Sequence, residues 1–140
     1  MLAVNEKGFT LIEILVVVMI LGLLISLAAP RIIGRTDEAR VVKAKADIRA
    51  IEEALNLYRL DSGIYPTTEQ GLAALIDQPT VGTQPRSWRE GGYLERLPVD
   101  PWSQEFLYAS DGRSYVLQSL GADGKEGGDG IDADIDARDF

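Results

Sequence analysis

Between Ser119 and Asp136 five aspartates and one glutamate are interleaved with five glycines. Glycine lets a chain fold back on itself, so the carboxylates of such a stretch can converge. Carboxylates mixed with backbone carbonyls are the ligands of calcium, which takes about six to eight oxygens. The rest of the sequence narrows the chemistry the same way. There is no cysteine, which removes disulfides, thiolate zinc sites and cysteine nucleophiles. There is no histidine, which removes serine–histidine triads and histidine-ligated transition metals. A solvated, disordered acidic tail is the alternative reading of the same composition. Two familiar calcium patterns fail. Asp132, Asp134 and Asp136 begin like an EF-hand loop, but Ala137 stands where that loop needs glycine. Gly127 to Asp132 resembles one calcium-binding β-helix repeat, but a single copy cannot stack.

The second unusual group is Glu13. It sits in the run Phe9–Ala29, where 17 of 21 residues are apolar. As a helix that run covers roughly 30 Å, about the thickness of a bilayer core. It exceeds the roughly 7–15 apolar residues of a cleaved secretory signal, so a retained membrane anchor fits better. A carboxylate inside such a span costs a few kcal/mol and marks function by default, unless it lies hydrated at the interface. A free amine at Phe9 would be a suitable counter-charge, and it would exist if the chain were cut after Gly8.

The elements that position these groups follow from pattern. Pro30 is expected to bend the helix axis. From Thr36 to Arg59, Ala39, Val42, Ala46, Ile48, Ala50, Ile51, Ala54, Leu55 and Tyr58 recur mostly at spacings of three and four, giving an amphipathic helix. Together the two segments predict one helix of about 50 residues, roughly 75 Å long. Asp61-Ser62-Gly63 should stop it. A short second helix is expected after Tyr65-Pro66, capped by Thr67 or Thr68 with Glu69 and Gln70 in its first turn. Residues 78–92 read as loop. Phe106–Ala109 and Tyr115–Leu120 read as strands joined at Asp111-Gly112, with room for a third. Of 140 residues, 22 are acidic and 14 basic, a net charge of −8, which disfavours nucleic-acid binding. Pro30–Leu60 carries +2 and Gly121–Phe140 carries −5.

Lys7-Gly8-Phe9-Thr10-Leu11-Ile12-Glu13 resembles the leader motif of type IV pilins and their relatives. The resemblance implies cleavage after Gly8 by a prepilin peptidase and methylation of the new Phe9 amine. It also implies pairing of Glu13 with the Phe9 amine of a neighbouring subunit. The stretch Gly63–Leu72, and that from Tyr93-Leu94 to Asp100-Pro101-Trp102, are similar to the major pseudopilins of type II secretion. That likeness covers nearly the whole chain. It implies an α+β, pilin-like fold: a long N-terminal helix packed on a small C-terminal domain with a short helix and a small antiparallel sheet. The expected organisation is a cleaved leader at 1–8, a transmembrane half at 9–30, an amphipathic half at 31–60 and a periplasmic domain at 61–140. An acidic calcium loop would occupy 120–136.

By the same resemblance Leu120 and Lys125 would give backbone carbonyls to calcium, and Asp123, Asp132 and Asp134 carboxylates, with Asp129 as an extra candidate. A chain without cysteine needs another clamp for that loop, and a bound divalent ion can serve. The implied function is structural: the major subunit of a periplasmic pseudopilus, a homopolymer extracted from the inner membrane. Its implied partners are the prepilin peptidase, minor pseudopilins and inner-membrane assembly proteins. The family keeps the leader in the cytoplasm, whereas Arg31, Arg35, Arg40, Lys43 and Lys45 after the apolar run point the other way by the positive-inside rule. Three other functions compete: a surface pilus subunit, a calcium-regulated module with a mere tether, and a membrane-anchored hydrolase using carboxylates such as Asp100, Asp111 and Asp123.

Overall fold

The computed structural model describes residues 8–140, apart from the side chains of 27–35. The expected leader, except Gly8, therefore lies outside the described residues, as do the side chains of Pro30, Arg31 and Arg35. One helix, α1 (Leu11–Ser62), dominates the chain and continues in secondary structure through Pro30. The chain divides into two compact units, one ending at Thr36 and one spanning Asp37–Phe140. From Asp37 on, α1 belongs to the same unit as everything that follows it.

Between Leu11 and Ile25 α1 is apolar on every side apart from Glu13. From Leu11 through Ile25 its large side chains are all exposed in the single chain. Among the described residues no helix is long and apolar enough to cross a membrane. The last part of the run Phe9–Ala29 falls among the side chains that are not described.

In the second unit α1 buries one stripe: Ala44, Ile48, Ile51, Leu55 and Tyr58 are at most 0% exposed. The steps of four and three between them keep all five on one face. Val42 lies on the other side at 67% exposure, and Ala39, Ala46 and Ala50 are exposed with it. The expected stripe was therefore rotated in part. Small alanines scattered around a helix carry little directional information, and the large residues at 48, 51, 55 and 58 define the face. The helix stops at Gly63, whose φ of 86° only glycine adopts readily. Its amide donates to the Arg59 carbonyl at 2.8 Å, closing the last turn.

The expected short second helix is present as a four-residue 3-10 helix, Leu72–Leu75, which begins after a turn rather than at the Thr67 or Thr68 cap. Thr67 accepts from Gln70 and Gly71 through its carbonyl, and its own amide donates to Gln70 Oε1 at 3.0 Å. Gly71, at φ 61°, then breaks the α pattern. Leu75 and Ala74 fall into the core.

Three strands form an antiparallel sheet in sequence order: β1 (Leu107–Ser110), β2 (Tyr115–Ser119) and β3 (Ile135–Asp136). In the β1–β2 hairpin Ser110 faces Tyr115. Asp111 Oδ1 accepts the Arg113 and Ser114 amides at 2.9 and 2.8 Å and so ties the connecting turn. Leu117, Phe106 and Ile135 join the α1 stripe in one core cluster. Leu55 is fully buried there. Leu55→Ala should cost about 3 kcal/mol, read as a lower denaturation midpoint of the detergent-solubilised chain with an unchanged slope.

Candidate functional site

Gly8 and Phe9 precede the helix in an extended, exposed segment, with Phe9 82% exposed. Nothing lies within 4 Å of where a Gly8 side chain would project. Among the described residues nothing crowds the expected processing junction.

Glu13 does more in the single chain than the sequence reading assigned to it. Thr10 is the residue before α1, and its amide and hydroxyl both donate to Glu13 Oε2, at 3.2 and 3.3 Å. The Glu13 amide returns a bond to Thr10 Oγ1 at 3.3 Å. This is a reciprocal capping box, which satisfies amides that a helix start leaves without partners. Thr10 and Glu13 stand at the spacing that motif requires, so the signal was present in the sequence. Both Thr10 bonds go to one carboxylate oxygen, leaving Oε1 for another donor.

The acidic segment is not a loose tail. It leaves β2 at Ser119 and returns as β3 at Ile135, and those two residues are register partners. Within the loop the two halves touch. The Ala122 amide donates to the Ile131 carbonyl at 2.9 Å, and the Asp134 amide to the Gly127 carbonyl at 3.2 Å. A side chain at Gly121 would come within 2.7 Å of the Asp132 carbonyl, and one at Gly128 within 2.4 Å. Both glycines are there because the opposing backbone leaves no room for a Cβ.

The expected ligands fall on this loop as follows. Leu120 is half-buried at the end of β2. Asp123 is exposed, and its Oδ1 accepts the Lys125 amide at 3.0 Å, forming a local turn around Gly124. Asp132 is half-buried, with its amide on the Asp129 carbonyl at 3.2 Å. Asp134 Oδ2 accepts the Gly127 amide at 2.9 Å, while its Oδ1 is buried without a partner. Asp129 is exposed. Among the described residues no three acidic side chains gather into a metal-holding group. The fold brings together the two backbone halves of the loop, not a cluster of carboxylates. The available donors are all oxygen, as calcium requires, and Asp134 Oδ1 is a buried acceptor that the loop itself leaves unsatisfied.

The carboxylates considered for hydrolysis are engaged elsewhere. Asp111 is held below the usual carboxylate range, chiefly by the Ser114 amide and then by that of Arg113. Asp100 is buried, and donors occupy both of its oxygens: Ser119 Oγ reaches Oδ2 at 2.8 Å, and the Gln104 amide reaches Oδ1 at 2.8 Å. Nothing local in the sequence marks Asp100 as buried.

A model of the type II secretion system (T2SS) protein G family matches residues 31–138, and a prokaryotic N-terminal methylation motif matches residues 4–29. The chain belongs to the protein G family of type II secretion. It is 53% identical to the type II secretion system core protein G of Pseudomonas aeruginosa over 133 residues, covering 94% of each chain. It is 50% identical to that of Vibrio cholerae, covering 94% of this chain and 90% of the relative. The crystal structure of the major pseudopilin from the type 2 secretion system of enterohaemorrhagic Escherichia coli superposes with a TM-score of 0.65 at 41% identity. That match covers 74% of this chain and 86% of the other. The expected α+β pseudopilin fold is therefore present, and this family is structural rather than enzymatic.

In this pseudopilin β3 carries one strongly held charge. Asp136 is buried and takes the Arg138 side chain through both oxygens, at 2.9 and 2.6 Å, together with the Arg138 amide. Its carboxyl is held below the usual range, first by the Arg138 side chain. A lowered folded-state value means stability that is present above the unfolded carboxylate value of about 4 and lost as pH falls through the folded one. The stability gap between the parent and Asp136→Asn should be full at pH 7 and should close on acidification below about pH 4. Equilibrium denaturation at stepped pH measures it.

Proposed function

We propose that this chain is the major subunit of a periplasmic pseudopilus, anchored in the inner membrane until assembly and clamped at its C-terminal loop by calcium. The observation that carries the reading is the coincidence of the leader junction with the exposed apolar start of α1. Water is a poor environment for a helix that is apolar all round, so this segment needs lipid or the matching helices of other copies. The C-terminal unit would stand in the periplasm. Prepilin peptidase would cut after Gly8 and leave a charged, methylated amine at Phe9. The matching amine of a neighbouring copy is a fitting donor for Glu13 Oε1, the oxygen that Thr10 does not use. Minor pseudopilins and inner-membrane assembly proteins would be the further partners.

Calcium fits the loop through chemistry rather than through a preformed cluster. Leu120 and Lys125 would supply carbonyls, and Asp123, Asp132 and Asp134 carboxylates. The ion, when bound, would offset part of the charge of a segment that carries −5 and join two halves otherwise linked by a few backbone bonds. No cysteine is present to do the same.

Two measurements test these parts separately. Glu13→Leu should abolish filaments seen by electron microscopy while leaving the C-terminal unit folded by circular dichroism. Normal filaments from that variant would overturn the assembly role. Thermal unfolding of the detergent-solubilised chain should show a calcium-selective rise in midpoint over chelator and over magnesium. At 100 times the dissociation constant the gain is about 2.7 kcal/mol, and Asp123→Ala should lose it. Equal midpoints in calcium and chelator would overturn the calcium clamp and leave the filament reading standing.

A further inference from the structure

Resting on the calcium reading above, the geometry points to Asp100, Gln104 and Ser119 as a frame that positions the first half of the calcium loop: none is a ligand, and together they fix the backbone on both sides of Leu120. Asp100 is only 3% exposed, and Ser119 is 0% exposed. Asp100 Oδ1 accepts the amides of Trp102 and Gln104 at 3.0 and 2.8 Å, and its own amide donates to the Gln104 carbonyl at 2.9 Å. These bonds close residues 100–104 into a tight turn, tight enough that Ser103 takes a φ of 67°. The other oxygen, Oδ2, reaches across to β2 and accepts the Ser119 hydroxyl at 2.8 Å.

One contact reaches the loop from that turn and a second from Ser119, which the turn holds. The Gly121 amide lies 3.3 Å from Ser119 Oγ, and Gln104 Nε2 donates to the Gly121 carbonyl at 2.9 Å. Ser119 and Gly121, the two residues flanking Leu120, are thus both tied to one turn. A carbonyl offered to a cation can point only where its two peptide neighbours let it. Gln104 also packs on the next part of the loop, where a Cβ at Gly124 would meet Gln104 Oε1 at 2.1 Å. Gly124 separates Asp123 from Lys125, the other two donors of this half. A carboxylate buried with only neutral donors costs desolvation, and its use here is to hold two loops in register. Outer partners of this kind typically change metal affinity by about 10- to 100-fold when removed.

Gln104 is half-buried and outside the core cluster, so Gln104→Ala tests the frame without threatening the fold. Asp100→Asn tests its centre, retaining shape and removing the acceptor for Ser119. Calcium chloride and magnesium chloride are titrated by calorimetry into the full chain in detergent, with far-ultraviolet circular dichroism of the calcium-free form. Both variants should raise the calcium Kd by about tenfold or more and reduce the preference for calcium over magnesium. Leu55→Ala, destabilised in the core and outside the loop, should keep the parental Kd and preference. Parental values in Gln104→Ala would overturn the frame while the calcium reading stands, whatever Asp100→Asn does to folding. A parent chain that binds no calcium would overturn the calcium reading and the frame with it.

Discussion

Every part of this chain answers to the hydrophobic demand of one helix. Up to Ile25, α1 has no polar face to give to water. From Asp37 onward it has one apolar stripe and a charged remainder, and a three-stranded sheet with a few turns covers that stripe. The second demand is met within the chain. The first is not, and the only environments of matching polarity are lipid and other helices like it. Assembly is in this sense the completion of folding. The buried stripe supplies a folded unit that persists on its own contacts, while the exposed run supplies the reason to associate.

The C-terminal loop illustrates how a small unit closes an acidic excursion without a disulfide. β3 is only two residues long and pairs with the end of β2. That pairing sets the two ends of the loop side by side. Gly121 and Gly128 then let opposing backbones approach more closely than any side chain would allow. Asp136 is occupied by Arg138, so its charge is settled locally and it is withdrawn from the set of oxygens facing the loop. Asp100, Asp111 and Asp136 are thus held by donors of their own, whereas in the loop Asp134 accepts the Gly127 amide on one oxygen and keeps the other buried and unmatched.

Much of this was legible in the sequence because it depends on local, directional signals. The apolar run, the glycine stop at Gly63 and the Asp111-Gly112 turn each state their structure within a few residues. The β1 and β2 strands were found within a residue of their ends for the same reason. What was not legible depends on contacts far apart in the chain. Ala44 entered the core and Ala46 did not because of where the sheet lies, which alanine itself does not encode. The second helix starts later than a Thr67 or Thr68 cap predicts, behind Gly71 and a Gln70 side chain that bonds both the Val81 and Thr83 carbonyls, 11 and 13 residues away. Asp100 carries no local sign of burial, and only the return of β2 shows that Ser119 lies over it.

In the proposed assembly, Glu13 is where local and assembled structure would meet. A carboxylate in an apolar segment is costly chiefly when it has no donors. Thr10 supplies two, and the positive end of the helix adds a favourable field at the same place. The residue is thereby tolerable in the unassembled chain, yet it remains incompletely satisfied, since both Thr10 bonds fall on Oε2. A group fully satisfied within its own chain would have no reason to select a neighbour. One left bare would make the membrane-bound state too costly. Half-satisfaction by a capping box lies between these limits, and in the proposed filament it would set a polar preference within a surface whose other contacts, being apolar, have little power to fix register.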